Sequence, residues 1–330
     1  MKVIALVPVR NEAWILEHSL ACWSGFCDVV IVNDQMSTDS TREICRRFPK
    51  VVLLETTSTG PADTVARLPQ QARWRLLDAA RNYDGNNLLW CTDADELTPP
   101  TLARTFFERH AGEFTAGRVI ECRFYNLWNS LSKYREDLSY YGPLWKPMGF
   151  VDDRVVDYPR GEVRPLHEPR MPIDTGDSAI KASDLPILHL QWTMWNRNQM
   201  KQAWYRCIDF MDKRMTAAEV NAFYSVTLRE LYVHTEAVPQ PWLADVTLPG
   251  ADVDRQPAWH EGEIRGWFDE RGIEYFEPLE IWHLPSLHRE FRRRTGRSPS
   301  PDRSYLPPRL VRARKLGRRV VNAVKRRILP

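Results

Sequence analysis

The sequence is 330 residues long and ordinary in composition, with 43% hydrophobic and 27% charged residues, so it can form one extended domain or two smaller ones. Its apolar runs are all shorter than the roughly 18 residues that a membrane-spanning helix needs, which argues against an integral helical membrane protein. The net charge of +3 is uneven, because residues 309–327 contain nine Lys or Arg and no acidic residue, and the rest of the chain is mildly acidic.

The first hundred residues alternate between predicted strands and predicted helices. Continuous apolar runs are typical of strands that are covered on both faces. Four such runs occur, at Val3–Val7, Val29–Val32, Val51–Leu54 and Leu88–Cys91. Helices are predicted between them, over residues 11–23, 37–48 and 64–81. This alternation predicts an α/β fold with a mostly parallel, doubly wound sheet flanked by helices.

Two polar residues near the start of the first predicted helix have alternative roles. Asn11 can cap that helix, since asparagine is favoured at helix N-caps. Glu12 can stabilise the same helix end through its negative charge, contact a ligand, or do both.

The middle of the chain is less regular. A helix is predicted from Pro99 to about His110, followed by a strand at Arg118–Phe124. Residues 125–190 are irregular apart from a short strand at 187–190, and long loops of this kind often form binding surfaces or lids.

Two further helices are predicted over residues 198–213 and 216–236, whereas residues 237–306 show no clear periodicity. The sequence therefore divides into four predicted segments. They are 1–125, 126–236, a helical or irregular C-terminal extension over 237–306, and a basic amphipathic helix over 307–330.

The six cysteines form no C-x-x-C pair and no regular spacing, so we expect free, buried thiols in a reducing cytosol. A bridge between Cys22 and Cys27 is the alternative. The N-terminal segment is too short for a signal peptide and lacks a cleavage site, so we expect a cytoplasmic protein.

Polar motifs follow three of the predicted strands, at Pro8–Glu12, Asn33–Asp39 and Asp93–Glu96. Ligands of open α/β sheets bind beyond the carboxyl ends of the strands, so we expect these motifs to share a site. Asp93 and Asp95, one residue apart where a strand ends, offer hard oxygen ligands for Mg²⁺ or Mn²⁺, and such an ion can neutralise a diphosphate.

The three motifs carry a family resemblance. Pro8-Val9-Arg10-Asn11-Glu12 matches a P-x-x-N-E opening, residues 34–39 match D-x-x-S-T-D, and Asp93-Ala94-Asp95-Glu96 matches a D-A-D-E metal motif. The sequence thus resembles the family 2 glycosyltransferases, in the branch whose D-x-D reads D-A-D-E. The resemblance covers residues 1–125 well and extends more thinly to about 210. It implies a GT-A-type fold.

The resemblance also implies a function and roles for individual residues. It implies a metal-dependent transfer of a sugar, with inversion, from a nucleotide-diphosphate donor to an acceptor hydroxyl. Pro8, Val9, Arg10, Asn11 and Glu12 would lie along the nucleoside.

In the other two motifs, the resemblance places Asp34 against the base or ribose, Asp93 and Ala94 at the nucleotide, and Asp93 and Asp95 on the Mn²⁺ or Mg²⁺ ion. Gln35 departs from the family, in which a second carboxylate is common at this position. The expected base of the donor is uracil, and the expected donor is therefore a UDP-sugar.

His189 and Arg73 are further candidates outside the three motifs. His189 ends an apolar strand and is predicted to be a third metal ligand, with a histidine satisfied in the core as the alternative. Arg73, like Arg75, can point at the diphosphate from its helix or lie on a solvated helix face. The tryptophans at 192, 195 and 204 can stack on sugars or belong to the core.

An inverting transfer needs a base that takes the proton of the acceptor hydroxyl. The first candidate for this base is Glu168, followed by Asp152 and Asp153. The alternative is that these loop carboxylates are exposed to solvent and have no catalytic role.

The basic tail has apolar residues every three or four positions, which predicts a basic amphipathic helix. Through residues 309–328 it can lie on an anionic membrane surface as a peripheral anchor, bind nucleic acid, or pack on the protein body. These alternatives stay open at the level of sequence.

Two other functions stay open as well. One is a nucleotidyltransferase on a related α/β sheet, although residues 8–12 lack the Gly-rich loop and following lysine that such enzymes favour. The other is a non-catalytic module that binds sugars or membranes. The acceptor is undetermined and can be a glycan, a lipid carrier, a protein or a modified nucleic acid.

Overall fold

The computed structural model describes residues 1–56, 68–139, 141–158, 170–172, 179–213, 215–225, 233–250 and 258–304, with the backbone alone for 68–70. The chain divides into two compact units. The first comprises residues 1–198 and 233–256, and the second comprises residues 199–232 and 257–330. The predicted basic helix at 309–328 lies outside the described residues.

All ten described strands belong to the first unit. They are β1 (Val3–Val9), β2 (Val29–Asp34), β3 (Val51–Glu55), β4 (Leu88–Cys91), β5 (Glu96–Leu97), β6 (Val119–Asn126), β7 (Lys133–Arg135), β8 (Leu144–Val151), β9 (Ile180–His189) and β10 (Thr235–Ala237). Eight of them form one sheet in the order β3-β2-β1-β4-β8-β6-β9-β5, and β7 pairs with β10 separately.

The main sheet has a parallel part and a mixed part. Strands β3, β2, β1 and β4 run parallel to one another, whereas β8 is antiparallel to both β4 and β6. Strand β9 runs parallel to β6, and the two-residue β5 is antiparallel to β9. The four predicted strands are confirmed, and so is the α/β fold class.

The helices of the described residues are α1 (Leu16–Ser24), α2 (Thr41–Arg46), α3 (Leu68–Ala80), α4 (Pro100–Arg109), α5 (Trp195–Met211), α6 (Ala217–Phe223), α7 (Trp259–Arg271) and α8 (Pro285–Thr295). Short 3-10 turns occur at Ala111–Glu113, Gln240–Trp242 and Ile273–Phe276. None of these helices is long and apolar enough to cross a membrane.

Helices cover both faces of the parallel part of the sheet. Successive side chains of a strand point to opposite faces, so alternate residues of one strand pack against different helices. On one face, the β1 and β2 residues Val7 and Val32 pack with Leu20 of α1 and Ile44 of α2. The intervening residues of the same strands, Ile4, Leu6 and Ile31, pack with Leu76 and Leu77 of α3. Burial on both faces explains why these strands are continuous apolar runs.

The first helix begins later than predicted. Ile15 is at its N-cap and makes no side-chain capping bond, so the prediction that Asn11 caps this helix is wrong. Asn11 has a φ of 54°, in the left-handed region that asparagine tolerates better than most residues. Its side chain bonds to a different segment, as described below.

Strand β8 was missed because its sequence contains Pro147 and Gly149. The pairing between β6 and β8 shifts register at Ile120/Glu121, next to Pro147, and proline is tolerated in a sheet at such a bulge. Gly149 lies against Trp90, where an added Cβ would be 2.9 Å from the indole ring. Strand β8 therefore needs residues that normally argue against a strand.

In the second unit, Thr216 and Glu219 form a capping box at the start of α6. That helix ends at Phe223, and Glu236, predicted to be helical, is in strand β10 of the first unit. Helices α7 and α8 lie within residues 237–306, where the sequence predicts a helical or irregular extension, and they bury Phe268 and Phe291. All six cysteines are free and buried, as predicted.

Candidate functional site

The three sequence motifs lie at one edge of the sheet. Val9 at the end of β1 pairs with Asp34 at the end of β2, and Leu6 of β1 pairs with Cys91 at the end of β4. The residues that follow these strands therefore emerge side by side, at the carboxyl ends where α/β proteins bind ligands.

Hydrogen bonds connect the first motif to the second. The Asn11 backbone N–H donates to Ser37 Oγ at 2.8 Å, and its side-chain Oδ1 accepts from the Thr38 N–H at 2.7 Å. The Glu12 N–H donates to Thr41 Oγ1 at 3.0 Å. Asn11 is 4% exposed. Because of these hydrogen bonds, it holds the two loops together instead of capping α1.

Asp34 is engaged inside the protein. Both of its carboxylate oxygens lie 3.2 Å from the Ser37 N–H, and Oδ2 lies 3.1 Å from Arg42 Nε. Its side chain is 1% exposed. The predicted contact with a base or ribose stays a prediction, and the contacts seen here stabilise the turn after β2.

The other predicted residues of the opening segment are mostly buried or paired. Val9 is buried at the end of β1, and Pro8 and Arg10 are partly buried beside it. Glu12 accepts from Trp14 Nε1 and lies 3.7 Å from Arg197 Nη2. The Glu12 carboxylate is therefore tied to the start of α5.

Strand β5 brings Asp95 next to His189. Glu96 of β5 pairs with His189 of β9, and the Leu190 N–H donates to the Asp95 carbonyl oxygen at 2.8 Å. As a result, Asp95 Oδ2 lies 3.6 Å from His189 Nε2, which is too long for a hydrogen bond. Both side chains are largely buried, at 7% and 14% exposure.

Asn126 fixes the tautomer of His189. Its Nδ2 donates to the Tyr141 carbonyl at 2.9 Å, so its Oδ1 faces His189 Nδ1, at 2.6 Å. Nδ1 must then carry the proton, and Nε2 is directed at Asp95. A histidine held in this way by an acceptor on its other nitrogen is the usual arrangement of a metal ligand.

The residues around Asp95 fit a divalent cation with few protein ligands. A carboxylate oxygen and an imidazole nitrogen lie 3.6 Å apart, a separation that two neighbouring ligands of one ion can have when each bond to the metal is about 2.1 Å. Within the described part of the chain, no group of three His, Cys, Asp or Glu side chains could hold a metal ion together. Mg²⁺ is often held by one or two protein ligands, with substrate phosphates and water completing the shell.

Asp93 is held anionic by two arginines. Its Oδ1 lies 3.2 Å from Arg73 Nη2, and its Oδ2 lies 3.7 Å from Arg170 Nη2. Burial alone would raise the pKa of Asp93, but Arg170 and Arg73 together lower it. Arg73 therefore lies against the D-x-D, whereas Arg75 donates to Thr56 Oγ1, and the predicted contact of Arg73 with a diphosphate stays a prediction.

Arg170 also forms a buried ion pair with Glu96. Its Nη1 and Nη2 lie 2.6 and 2.8 Å from the two oxygens of Glu96, which is 2% exposed. Burial would lower the pKa of Arg170, but Glu96 and Asp93 raise it. The sequence did not single out Arg170. The only indication was Glu96, the acidic residue after the D-x-D. A buried carboxylate in an apolar context needs a cation nearby.

Lys146 of β8 is a second cation that the sequence did not single out. Its Nζ lies 3.6 Å from the centroid of the Phe124 ring, which in turn lies 5.0 Å from the His189 ring. Burial and then Arg170 lower the pKa of Lys146 to about 8, against the opposing effect of Glu96, Asp93 and Asp95.

Asp152 and Asp153 are not at this edge of the sheet. The Asp152 N–H donates to the carbonyl of Asn87, which precedes β4, so both residues lie at the opposite end of that strand. The reason is that β8 returns antiparallel to β4. The prediction that either residue is the acceptor base is therefore not supported.

The contacts of these two residues are structural. Asp152 pairs with Arg81 through two hydrogen bonds of 2.9 and 2.8 Å. Asp153 Oδ1 accepts the N–H groups of Val155 and Val156, and the Val156 bond in particular lowers its pKa. Glu168, the first candidate base, lies outside the described residues.

Ala94, Trp192 and Trp204 are buried, and Trp195 is partly buried. Ala94 is 4% exposed, and its carbonyl accepts the Ser19 hydroxyl of α1. Trp192 is 2% exposed and stacks on Trp128 with ring centroids 4.7 Å apart. In the second unit, Trp204 is 7% exposed and donates to Glu263. The core alternative describes Trp192 and Trp204, and the predicted position of Ala94 at the nucleotide stays a prediction.

Comparison with known proteins gives weak likenesses. No protein-family model matches the sequence, and no curated protein matches it. Among solved structures, S. aureus TarS is 13% identical over 69% of this chain, with a TM-score of 0.39, and this chain covers 43% of TarS. Residues 1–349 of TarS are 14% identical over 90% of this chain, with 92% of that structure covered and a TM-score of 0.37.

Two other solved structures are similar over shorter stretches. M. tuberculosis glucosyl-3-phosphoglycerate synthase, in complex with Mn²⁺, UDP and glucosyl-3-phosphoglycerate, is 16% identical over 38% of this chain and 44% of its own, with a TM-score of 0.26. A 4-diphosphocytidyl-2C-methyl-D-erythritol synthase is 17% identical over 46% of this chain and 75% of its own, with a TM-score of 0.30. Likenesses of this strength do not identify a family, so the functional argument rests on the site.

Proposed function

We propose that this protein is a divalent-metal-dependent glycosyltransferase that moves a sugar from a nucleotide-diphosphate donor to an acceptor hydroxyl. The observation that carries the proposal is the pair Asp95–His189. Three separate segments orient it, since Asp95 directly precedes β5, His189 ends β9, and Asn126 of β6 fixes the tautomer. The motif resemblance supports the same function.

Each side chain of the site has a role that follows from its surroundings. Asp95 and His189 Nε2 would hold the Mn²⁺ or Mg²⁺ ion, and Asp93, kept anionic by Arg73 and Arg170, adds negative charge beside it. When bound, the ion offsets the charge that develops on the departing diphosphate.

The remaining roles in the transfer follow the motif resemblance. The segment Pro8–Glu12 and Asp34 would lie along the nucleoside of a UDP-sugar, and the reaction would invert the sugar. Glu168 is the base that we propose for the acceptor hydroxyl. Residues 309–328 remain a proposed contact with an anionic membrane surface, where a lipid carrier could present the acceptor.

A thermal-shift screen tests the proposed function. Nucleoside diphosphates and their sugars are added with Mn²⁺, with Mg²⁺ and with a chelator, and a ligand that binds the native state raises the Tm. We expect one diphosphate to raise the Tm with the metal alone, and Asp95→Asn to abolish the shift. Asp184→Asn, an exposed carboxylate whose partner is Arg109, is the control and should retain it.

Three results would count against the proposal. A shift that is the same with chelator would contradict metal dependence. Release of pyrophosphate from a nucleoside triphosphate would indicate nucleotidyl transfer instead. The absence of hydrolysis and transfer across the whole donor panel would favour a non-catalytic binding module.

A further inference from the structure

The charged groups around the D-x-D are unequally paired. Arg170 makes two hydrogen bonds to Glu96, and Arg73 lies against Asp93. Lys146 differs from both arginines, because its ammonium forms no hydrogen bond or ion pair with any residue in the described part of the chain. Its nearest partner is the ring of Phe124, 3.6 Å from Nζ.

The position of Lys146 ties it to the same site. Lys146 is paired across the sheet with Cys122, so it lies on the same face of the sheet as Phe124, two residues further along β6. The Phe124 ring is shared, since it also lies 5.0 Å from the His189 ring and 6.0 Å from the Arg170 guanidinium. Lys146 thus belongs to the cluster formed by the D-x-D and His189.

The ammonium is poorly stabilised in the free protein. The attraction between a cation and an aromatic ring is modest, whereas burial and the like charge of Arg170 oppose the charged form of Lys146 strongly enough to lower its pKa to about 8. At neutral pH the group is still charged. An anion entering the site would therefore gain from Lys146 without having to break an ion pair between Lys146 and any described residue.

We propose that Lys146 binds a phosphate oxygen of the donor's diphosphate, next to the divalent ion held by Asp95 and His189. This assignment rests on the proposed function. The donor is favoured over an anionic acceptor because a metal-bound diphosphate must lie beside the carboxylates that Lys146 faces. A flexible lysine stem can direct its point charge at such an oxygen.

Lys146→Met tests the assignment, because it keeps the apolar stem over Phe124 and removes the charge. Affinity is measured by calorimetry for inorganic pyrophosphate and for the nucleoside diphosphate selected by the screen, both with Mn²⁺. We expect both affinities to fall about 10- to 100-fold, as for loss of a charge-assisted hydrogen bond. Lys146→Arg should restore most of the loss.

Lys181→Met is the matched control. Lys181 also lies over an aromatic ring, 5.7 Å from the Trp145 centroid. It precedes Ala182, the β9 partner of Cys122, so it lies on the opposite face of the sheet from Lys146. Its substitution should leave both affinities unchanged. The Tm of Lys146→Met without ligand should equal or exceed that of the unmodified protein, which separates lost binding from lost folding.

The outcomes separate this proposal from the proposed function. If the unmodified protein binds no diphosphate with metal, both fail. If it binds and Lys146→Met binds equally well, only the role of Lys146 is overturned. If Lys146→Met keeps both affinities but raises the KM of an anionic acceptor, Lys146 contacts the acceptor and the donor assignment is again overturned.

Discussion

The ends of β2 and β4 carry acidic residues that resemble each other in sequence and differ in their contacts. Asp34, after β2, is enclosed by the Ser37 N–H and Arg42, at 1% side-chain exposure. Asp95, after β4, faces His189 across 3.6 Å, and Asp93 beside it is 39% exposed. The motif at residues 34–39 is satisfied by its own loop and by Arg42, whereas the motif at residues 93–96 meets His189 and Arg170 from distant segments.

The largest effect is expected at the Asp93–Glu96 motif. Asp95→Asn keeps the shape of the side chain but removes its charge, so metal-dependent diphosphate binding should be lost and sugar transfer should fall by about 10³-fold or more. Titration with Mn²⁺ and a transfer assay measure the two effects. Full activity in this variant would remove Asp95 from the site.

A smaller effect on the same site is expected from Asn126→Ala. Without the acceptor at Nδ1, His189 is free to change tautomer, so we expect Mn²⁺ affinity to fall about 10- to 100-fold. Asn126→Asp is the matched variant, because its carboxylate still accepts from Nδ1 and should retain tight binding. Equal Mn²⁺ affinity in both variants would show that Asn126 does not act through the histidine.

At the Asn33–Asp39 motif we expect loss of stability and not loss of binding. Asp34→Asn weakens the contacts with Ser37 and Arg42, so the free energy of unfolding should fall by about 1–3 kcal/mol. Metal-dependent binding of pyrophosphate should not change. Urea denaturation and calorimetry measure the two quantities. Unchanged stability with weaker nucleotide affinity would instead place Asp34 at the base or ribose, as the resemblance implies.

The smallest effect is a pH dependence from Lys146, which faces Arg170, Glu96, Asp93 and Asp95. Its pKa is about 8 in the free protein, and a bound diphosphate would raise it, so affinity should be full near pH 7 and fall as pH rises from about 8 to 9. Calorimetry at these pH values measures the decline. Lys146→Met should lose this dependence, and an unchanged profile would assign the titration to another group.

The same lowered pKa predicts a change in stability. The unfolded chain keeps the Lys146 proton up to its ordinary pKa of 10.5, whereas the folded protein releases it near 8. Between these values the unfolded state binds more protons, so the contribution of Lys146 to stability rises with pH in this window. Urea denaturation of the unmodified protein and of Lys146→Met, at pH 7.5 and 9.5, gives the difference.

Much of the fold could be predicted because it is encoded locally. The four parallel strands are apolar runs buried on both faces, so each is visible in a few neighbouring residues. Strand β8 is not visible in its local sequence, since Pro147 lies at a bulge and Gly149 is required by the contact with Trp90. Asp152 was misplaced for a related reason, because the sequence did not show that β8 runs antiparallel to β4.

By itself, the sequence determined the parallel strands and the three motifs at their carboxyl ends, because strand ends and polar turns are local features. Only the tertiary structure decided which residues meet there. The pairing of β5 with β9 brings His189 to Asp95, and Arg170 and Lys146 reach the same cluster from distant segments. The physical reason is that strand register and ion pairing connect residues that lie far apart in the sequence.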